Sequence, residues 1–571
     1  VEQFSAGETV ALIVDPDLGS AAVGEHGGVV RWHETESLDA IARAEREVGP
    51  RWVWWTADTA RLLVAAGIRP ARCWDIDAVH RLLHGGWRAG PGRTWAAAHE
   101  LDVDELPSAA PANLFSVETA DHDPADPVRS DGHLDPSWVD GGWYRDADRL
   151  QRWATLALDT QRSQARQLDQ LTERPAAPAT ARSESAAALL ATELERDGLP
   201  IDVAEAERII ASSIGPRPRG ADEEARLAAE RDAVVLAHLA PDLRAGVDLR
   251  NPASVKSLLR RAGIEVDDTR AWRLERLRSE HPVVDALLTW RKAERIATTF
   301  GYRWLDAHVG ADGRLRGTWS ASDGAAGRMT ATAGLHNMPA ELRPAIVAGG
   351  GHVFVRADLG QIEPRILAAV SGDHQLGAAT QDADMYAPVA ARLGVGRDVA
   401  KVAVLGAMYG QTTGHGAAAL RGLDAAYPVA MQFLADAARS AAAGDDLRTR
   451  GGRLVRMSSS HESGDDERDL RSRAAARGRY GRNAMVQGAA AEFFKMWAVI
   501  VRAKLEAPAR IVLCLHDELL VHAPASEAAS VASTLADALD ETAERWLQLA
   551  WLTDVRFVAD ISVVARWSDA K

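Results

Sequence analysis

The chain has 571 residues, 47% of them hydrophobic and 26% charged, with a formal net charge of −15 at pH 7. That length suggests about three to five domains with their own cores, and two cysteines, Cys73 and Cys514, exclude a disulfide framework and a cysteine-based zinc site. An acidic total whose 66 basic residues include only six lysines argues against a protein that coats nucleic acid by bulk charge, but it leaves room for an enzyme with a local basic groove.

No run of about 18 apolar residues stands out, and Val1-Glu2-Gln3-Phe4 lacks a signal-peptide pattern, so a reducing, cytoplasmic setting is expected, with no membrane partner. Residues 1–100 read as α/β. Thr9 to Val14, Gly28 to Trp32 and Arg51 to Trp55 are apolar runs of strand length, and a helical period follows through Leu62 and Leu63 to Gly67. Residues 101–140, rich in Asp, Pro and Ala, read as a long connection. Residues 143–173 are expected to be helical. A break at Arg174 to Pro178 precedes a helix from Ser183 to Arg196. Residues 203–300 are charged and helical, with breaks at Ser213 to Pro218 and near Asn251-Pro252. Strands near Leu315–Trp319 and Val353–Arg356 then lead into helices and strands that run to the end.

Three segments carry chemistry. In the first, the apolar strand His352 to Ala357 ends in Asp358, and a helix starts a few residues later, with Pro364 in its first turn. A carboxylate at a strand's carboxyl end suits a metal ligand; an ordinary strand-to-helix turn reads the same way. In the second, Arg397, Lys401, Leu405 and Tyr409 form one slanting helical stripe. Cations at i,i+4 repel by a few tenths of a kcal/mol, a cost better tolerated beneath an anion such as a triphosphate. A solvated basic edge is the plainer alternative. In the third, apolar runs flank His516-Asp517-Glu518, which reads as a tight hairpin in a buried sheet. Adjacent carboxylates there favour a bound cation, whereas an exposed acidic turn needs none.

Together, in this order, the segments resemble the family A DNA polymerases, the bacterial DNA polymerase I family. Asp358 to Arg365 is similar to motif A, with Gln361-Ile362-Glu363 matching well; Arg397, Lys401, Tyr409 and Gly410 are similar to motif B; His516-Asp517-Glu518 is similar to motif C. Gly327-Arg328-Met329-Thr330 with Leu335-His336-Asn337 resembles the segment before motif A. Arg479, Asn483 and Gln487 resemble the helix that follows primer-template, and Asn251 to Lys256 resembles the thumb tip.

The resemblance implies an α+β multidomain fold: an RNase H-like α/β amino-terminal domain, then a right-hand polymerase with palm, fingers and thumb. The expected divisions are 1–173 for a 3′–5′ exonuclease-like domain, 183–310 for the palm start and helical thumb, and 311–571 for the palm and fingers with the active site. It implies a template-directed DNA polymerase using two Mg²⁺ ions, primer-template DNA and deoxynucleoside triphosphates, acting as a nucleoid-associated monomer. Asp358 and Asp517 would be the metal ligands, Glu518 an auxiliary carboxylate, and Lys401 the proton donor to pyrophosphate. Arg397, Lys401, Leu405, Tyr409, Glu363 and Gln361 would bind the nucleotide, with Tyr409 and Glu363 excluding a 2′-hydroxyl. Arg328, Asn337, Arg479, Asn483, Gln487, His516 and Lys256 would bind DNA.

The stretch 448–482, with ten arginines against five acidic residues, is expected to add local basic surface. Leu405 replaces the usual aromatic residue, and Leu359-Gly360 replaces Tyr-Ser; both changes are expected to remove surface beside the nucleotide. In the amino-terminal domain Asp15 and Asp17 are the carboxylates at the first strand, while Trp55, Thr59 and Ala157 fall where metal-binding residues are expected. Proofreading is therefore expected to be lost, and no 5′-nuclease domain fits. The competing readings are a phage-type single-subunit RNA polymerase and a non-catalytic DNA-binding protein on the same scaffold.

Overall fold

A computed structural model of the chain describes residues 4–108, 123, 125–410, 417–457, 467–515, 517–547 and 554–570. The chain divides into two units: residues 1–197, 319–330 and 351–563 in the first, and 198–318, 331–350 and 564–571 in the second.

In the first unit, β1 (Thr9–Asp15), β2 (Gly19–Gly24), β3 (Val29–Trp32), β4 (Arg51–Trp54) and β5 (Arg72–Asp75) form a sheet in the order β3-β2-β1-β4-β5. β2 pairs antiparallel with β1 and β3, whereas β4 runs parallel to β1 and β5. The β1 run is apolar throughout because both faces are covered. Val10, Leu12 and Val14 join Trp52, Trp54 and Leu63 in one core, and Ala11 and Ile13 join Trp55, Trp153 and Ala157 in the other. β2 escapes the sequence reading because its residues are small. It forms because Asp15 Oδ1 accepts the N–H groups of Asp17 and Leu18, both at 2.9 Å, turning the chain back. Gly19, at φ +105°, then passes so close to Trp32 that a Cβ would lie 2.1 Å from its carbonyl oxygen.

Helix α1 (Ala147–Gln170) covers this sheet, and α2 (Ala177–Asp197) follows it. The second helix starts at Ala177, not Ser183 as expected. Pro178 sits in its first turn, where a missing N–H is harmless, so the proline-rich break is shorter than it reads.

Further along, β6 (Arg328–Ala331) and β7 (His352–Leu359) precede α3 (Ile362–Ser371), α4 (Arg397–Tyr409), α5 (Pro428–Ala443) and α6 (Glu467–Lys504). β8 (Arg510–Leu515), β9 (Glu518–Pro524) and β10 (Ala559–Val564) complete a four-stranded sheet in the order β8-β9-β7-β10. The long α6 lies against α5 at Gly481, where a Cβ would be 2.3 Å from the Cβ of Ala441. Its Arg468–Lys504 stretch is long and apolar enough to cross a membrane, with a mean hydropathy of 1.3 over 18 residues, yet 83% of that window is buried inside the protein, as in a core helix.

The second unit is mainly helical, with Val203–Ile214, Ala221–Leu236, Pro252–Arg261 and Pro282–Thr299. Val255, Leu258, Val283 and Leu287 lie in its core. The expected breaks fall between helices. Asn251 caps one of them by accepting from Ala253 and Ser254, and Pro252 takes its first position. The strand expected near Leu315–Trp319 is two: Arg314–Leu315 pairs with Leu199–Pro200 in this unit, and Trp319–Asp323 belongs to the first.

Candidate active site

β8 and β9 pair so that Leu515 faces Glu518 across the ladder, and Glu518 in turn faces Asp358 at the end of β7. The Leu359 N–H donates to the Asp517 carbonyl at 2.8 Å, which fastens the end of β7 to the hairpin turn. Two carboxylates distant in sequence thus meet at one end of a sheet. Burial pushes the Asp517 carboxyl up to about 6, and the Asp358 charge adds to the effect. Asp358 is raised by burial too, against the opposing pull of Arg356. His516 lies outside the described residues.

Beyond Asp358 the chain enters α3 through Gln361, a non-glycine residue at φ 55° and ψ 45°. That conformation costs about 1–2 kcal/mol and is held by the side chain. Gln361 Nε2 donates to Asp384 at 2.9 Å, and its Oε1 accepts the Met385 N–H at 3.0 Å. Arg397, at the start of α4, donates through Nε to the other Asp384 oxygen at 2.5 Å. Asp384 therefore couples the motif A turn to the first cation of the α4 stripe. Arg365, fully buried, donates to the carbonyls of Gly360, Asp382 and Ala383 at 2.9 Å, pinning the loop that carries Asp384.

Glu363 joins a second pair of segments. Arg328 on β6 donates to its Oε1 at 2.6 Å, and the Tyr409 hydroxyl donates to its Oε2 at 3.0 Å. Burial and the Glu363 charge raise the Tyr409 pKa, while a hydrogen bond with Gln487 on α6 opposes them. At the end of α4, Gly410 (φ +68°) lies under Arg479, whose Cγ would be 3.0 Å from an added Cβ. Arg479, Asn483 and Gln487 are four residues apart and share one face of α6. Arg479 is exposed, the other two are half-buried, and Asn483 Oδ1 is buried without a hydrogen-bond partner.

On α4, Arg397, Lys401 and Tyr409 are exposed and Leu405 is half-buried, whereas Ala400, Ala403, Val404 and Ala407 are buried. The stripe is the outer face of a packed helix. In the second unit, Lys256 is exposed and donates to the Asp267 carbonyl at 2.9 Å, and Asn337 is exposed at the end of a short 3₁₀ turn.

Two expectations need correction. Leu359 is 1% exposed, and Gly360 packs so tightly that a Cβ would lie 2.8 Å from Val558 Cγ2. These residues fit the sheet and its neighbour, so internal packing accounts for them, and Leu405 on α4 is the half-buried member of the set. Nor is the arginine-rich stretch all surface. Arg453 is 2% exposed and bound to Glu184 at 2.7 Å; residues 458–466 lie outside the described residues.

Sequence reasoning gave no role to Arg356, Arg365, Asp384 or Asp560. Arg356 Nη2 donates to Asp358 at 2.6 Å, and its Nε and Nη1 lie 3.2 and 3.6 Å from Glu518 and Asp560. Its spacing of two from Asp358 on a strand was the available signal. At the amino-terminal positions, Trp55 stacks on Trp153 with ring centroids 4.7 Å apart, and Ala157 is fully buried. An apolar cluster occupies those positions.

Among the described residues, no group of three or more His, Cys, Asp and Glu side chains makes a closed metal cage. The donor set still suits Mg²⁺, which keeps several waters and is held by one or two carboxylates plus substrate phosphates. Burial, and then neighbouring carboxylate charge, raise Asp358 and Asp517, the direction a bound cation would offset.

The chain is 31% identical over 298 residues to DNA polymerase I of Chloroflexus aurantiacus, a match spanning 47% of this chain and 31% of that protein. It is 28% identical over 330 residues to DNA polymerase I of Caldicellulosiruptor bescii, spanning 52% and 37%. These alignments span about a third of the curated relatives' length. A solved structure described as the POL domain of Pol1 from M. smegmatis in complex with DNA primer-template and dNTP shares the multidomain fold, with its fingers, palm and thumb layout, at a TM-score of 0.68 and 20% identity, covering 100% of this chain and 97% of that one. The family model described as DNA polymerase family A matches residues 253–569. That match takes in more than half of the sequence, both aspartates and the whole α4 stripe, and the chain belongs to DNA polymerase family A.

Proposed function

We propose that the chain is a template-directed DNA polymerase that extends a primer 3′-hydroxyl with deoxynucleoside triphosphates. The observation that carries this reading is the meeting of Asp358 and Asp517 at one sheet end, fastened by the Leu359–Asp517 backbone bond. Bound there, two Mg²⁺ ions would activate the 3′-hydroxyl and offset the charge on the phosphates. Asp358 and Asp517 supply hard oxygen ligands, and Glu518 supports them from the paired strand. Arg397 and Lys401 hold the β and γ phosphates, and the Lys401 ammonium gives its proton to the departing pyrophosphate oxygen. Glu363, fixed between Arg328 and Tyr409, walls the sugar, while Gln361 and Leu405 line the nucleotide side.

Arg328, Arg479, Asn483 and Gln487 offer donors to the minor-groove acceptors that every base pair presents, so contact is independent of sequence. Asn337, Lys256 and His516 complete the DNA set. The functional divisions in this reading are 1–173, 183–310 and 311–571, which cut across the two compact units. For the first, the mixed sheet order β3-β2-β1-β4-β5 supports an RNase H-like exonuclease fold, and the apolar filling by Trp55, Trp153 and Ala157 supports loss of excision.

Primer extension with Mg²⁺ tests the reading. The wild-type chain is expected to extend a primer in template order, and Asp358→Ala is expected to abolish extension while the protein stays folded. Unchanged extension by Asp358→Ala would overturn the assignment, and preference for ribonucleotides on a promoter-bearing template would replace it with an RNA polymerase.

A further inference from the structure

Arg356 precedes Asp358 by two residues on β7, so both side chains leave the strand on the same face. It follows the apolar run Val353-Phe354-Val355 and is 9% exposed. Its Nη2 donates to Asp358 Oδ2 at 2.6 Å. The same guanidinium addresses both oxygens of Glu518, with Nε 3.2 Å from Oε1 and Nη2 3.4 Å from Oε2. Nη1 lies 3.6 Å from Asp560 on the neighbouring β10. Glu518 is itself nearly buried, with a side chain 10% exposed, while Asp560 is 71% exposed. One fixed cation thus spans carboxylates from three adjacent strands.

We propose that Arg356 is a built-in counter-ion that competes with the divalent ion for Asp358 and reserves Glu518 for itself, so that it sets the metal concentration the site requires. The inference rests on the metal site proposed at Asp358 and Asp517. A cation already on Asp358 Oδ2 leaves an incoming ion to use the other oxygen or to displace a charge-assisted hydrogen bond. A positive charge this close also repels a dication through a poorly solvated sheet end. Glu518, bound along both oxygens by a planar fork, is held as an orienting group for Asp358, its partner across the ladder. Arg356 is a positioning residue in this scheme, because it acts through the carboxylates.

The test is Mn²⁺ binding to the full chain without DNA or nucleotide, read from the electron paramagnetic resonance signal of free Mn²⁺, with melting curves as a check on folding. Arg356→Gln is expected to bind Mn²⁺ on the order of tenfold more tightly. Arg356→Lys, which keeps the charge but cannot span Asp358 and Glu518 together, is expected to bind about threefold more tightly. It serves as the readout if the glutamine variant does not fold. Unchanged or weaker binding by either folded variant overturns the proposal. Glu518→Gln is expected to weaken binding clearly in the Arg356→Gln background and little in the wild type; equal effects in both overturn the reservation of Glu518. If Asp358→Asn leaves Mn²⁺ binding intact, the underlying metal site fails instead, and the two failures are told apart.

Discussion

The Tyr409 hydroxyl donates to Glu363 Oε2 at 3.0 Å, joining the last residue of α4 to the first turn of α3. Arg328 holds the opposite oxygen of the same carboxylate at 2.6 Å, so Glu363 is fixed from both sides and is 14% exposed as a side chain. If Glu363 walls the sugar as proposed, its fixed position is what would let it discriminate.

Glu363→Ala removes the wall and both of its tethers' targets. The ratio of kcat/KM for a ribonucleotide to that for the matching deoxynucleotide is expected to rise about 10- to 100-fold. Tyr409→Phe keeps the ring and loses only the donor, so a smaller rise is expected. Single-nucleotide insertion kinetics measure both, and unchanged ratios would remove Glu363 from sugar selection.

The sheet-end aspartates predict how Mg²⁺ and pH act on stability. Asp517 rises from 3.8 to about 6 on folding, chiefly by burial. Between those values the folded chain holds a proton that the unfolded chain has released, so this group's stabilisation is full below about pH 4 and is lost as pH rises through 6. At the proposed metal site a divalent ion would take the proton's place above that range. The Tm gain from millimolar Mg²⁺ is therefore expected to be larger at pH 8 than at pH 5. Asp517→Asn should raise the metal-free Tm at pH 8 and lose most of the Mg²⁺ gain. Asp75 and Asp77 are also pushed up by burial, to about 6 and about 7, but they are common to both proteins and drop out of the difference. A Mg²⁺ gain independent of pH would contradict the assignment.

The residues that announce themselves in the sequence are those whose chemistry is local. Asp358 closes an apolar strand, Asp517 stands between two apolar runs, and Arg397 to Tyr409 follow a helical period, so each could be placed from neighbours alone. Asp384 and Asp560 are different. Each is an ordinary acidic residue in its own segment, and each gains a role only because the fold carries Arg397 or Arg356 to it. Gly360 misleads for the same reason, since the need for a glycine comes from Val558, far along the chain. Of the fold, β2 and β5 went unread because small or short segments are held by their neighbours and not by propensity.

The proposed loss of excision rests on the apolar filling of the amino-terminal module. Trp55 stacks on Trp153 and donates to its carbonyl at 3.4 Å, and Ala157 lies in the same cluster. Asp15 spends one carboxylate oxygen on its own turn. No release of a mismatched 3′-terminal nucleotide is expected with Mg²⁺ or Mn²⁺, and Asp15→Ala should change nothing in that assay. Excision that Asp15→Ala abolishes would refute this. Trp55→Ala is expected to cost about 3–5 kcal/mol of stability as a core cavity without creating nuclease activity.

A buried charge cluster fastens α2 to α6, the helix that also carries the proposed DNA-contacting residues Arg479, Asn483 and Gln487. Glu184 on α2 pairs with Lys495 on α6 at 2.5 Å and with Arg453 at 2.7 Å, and all three are 1–2% exposed. Glu492, one turn before Lys495, accepts from Thr449 and from the Gly451 N–H at 2.9 Å. Burial lowers Lys495 to about 8, against the pull of Glu184. Lys495→Met leaves Glu184 with Arg453 as its charged partner in a fully buried site, so a loss of about 3–5 kcal/mol is expected. Glu184→Gln should cost a similar amount, and the double variant should cost less than the sum by more than about 1 kcal/mol, because the two charges share one site. Urea unfolding of the four proteins measures this coupling. Because α6 also carries Arg479, Asn483 and Gln487, Lys495→Met is expected to weaken primer-template binding although Lys495 is itself buried. Additive stabilities with unchanged DNA affinity would show that the cluster neither acts as a unit nor positions the helix.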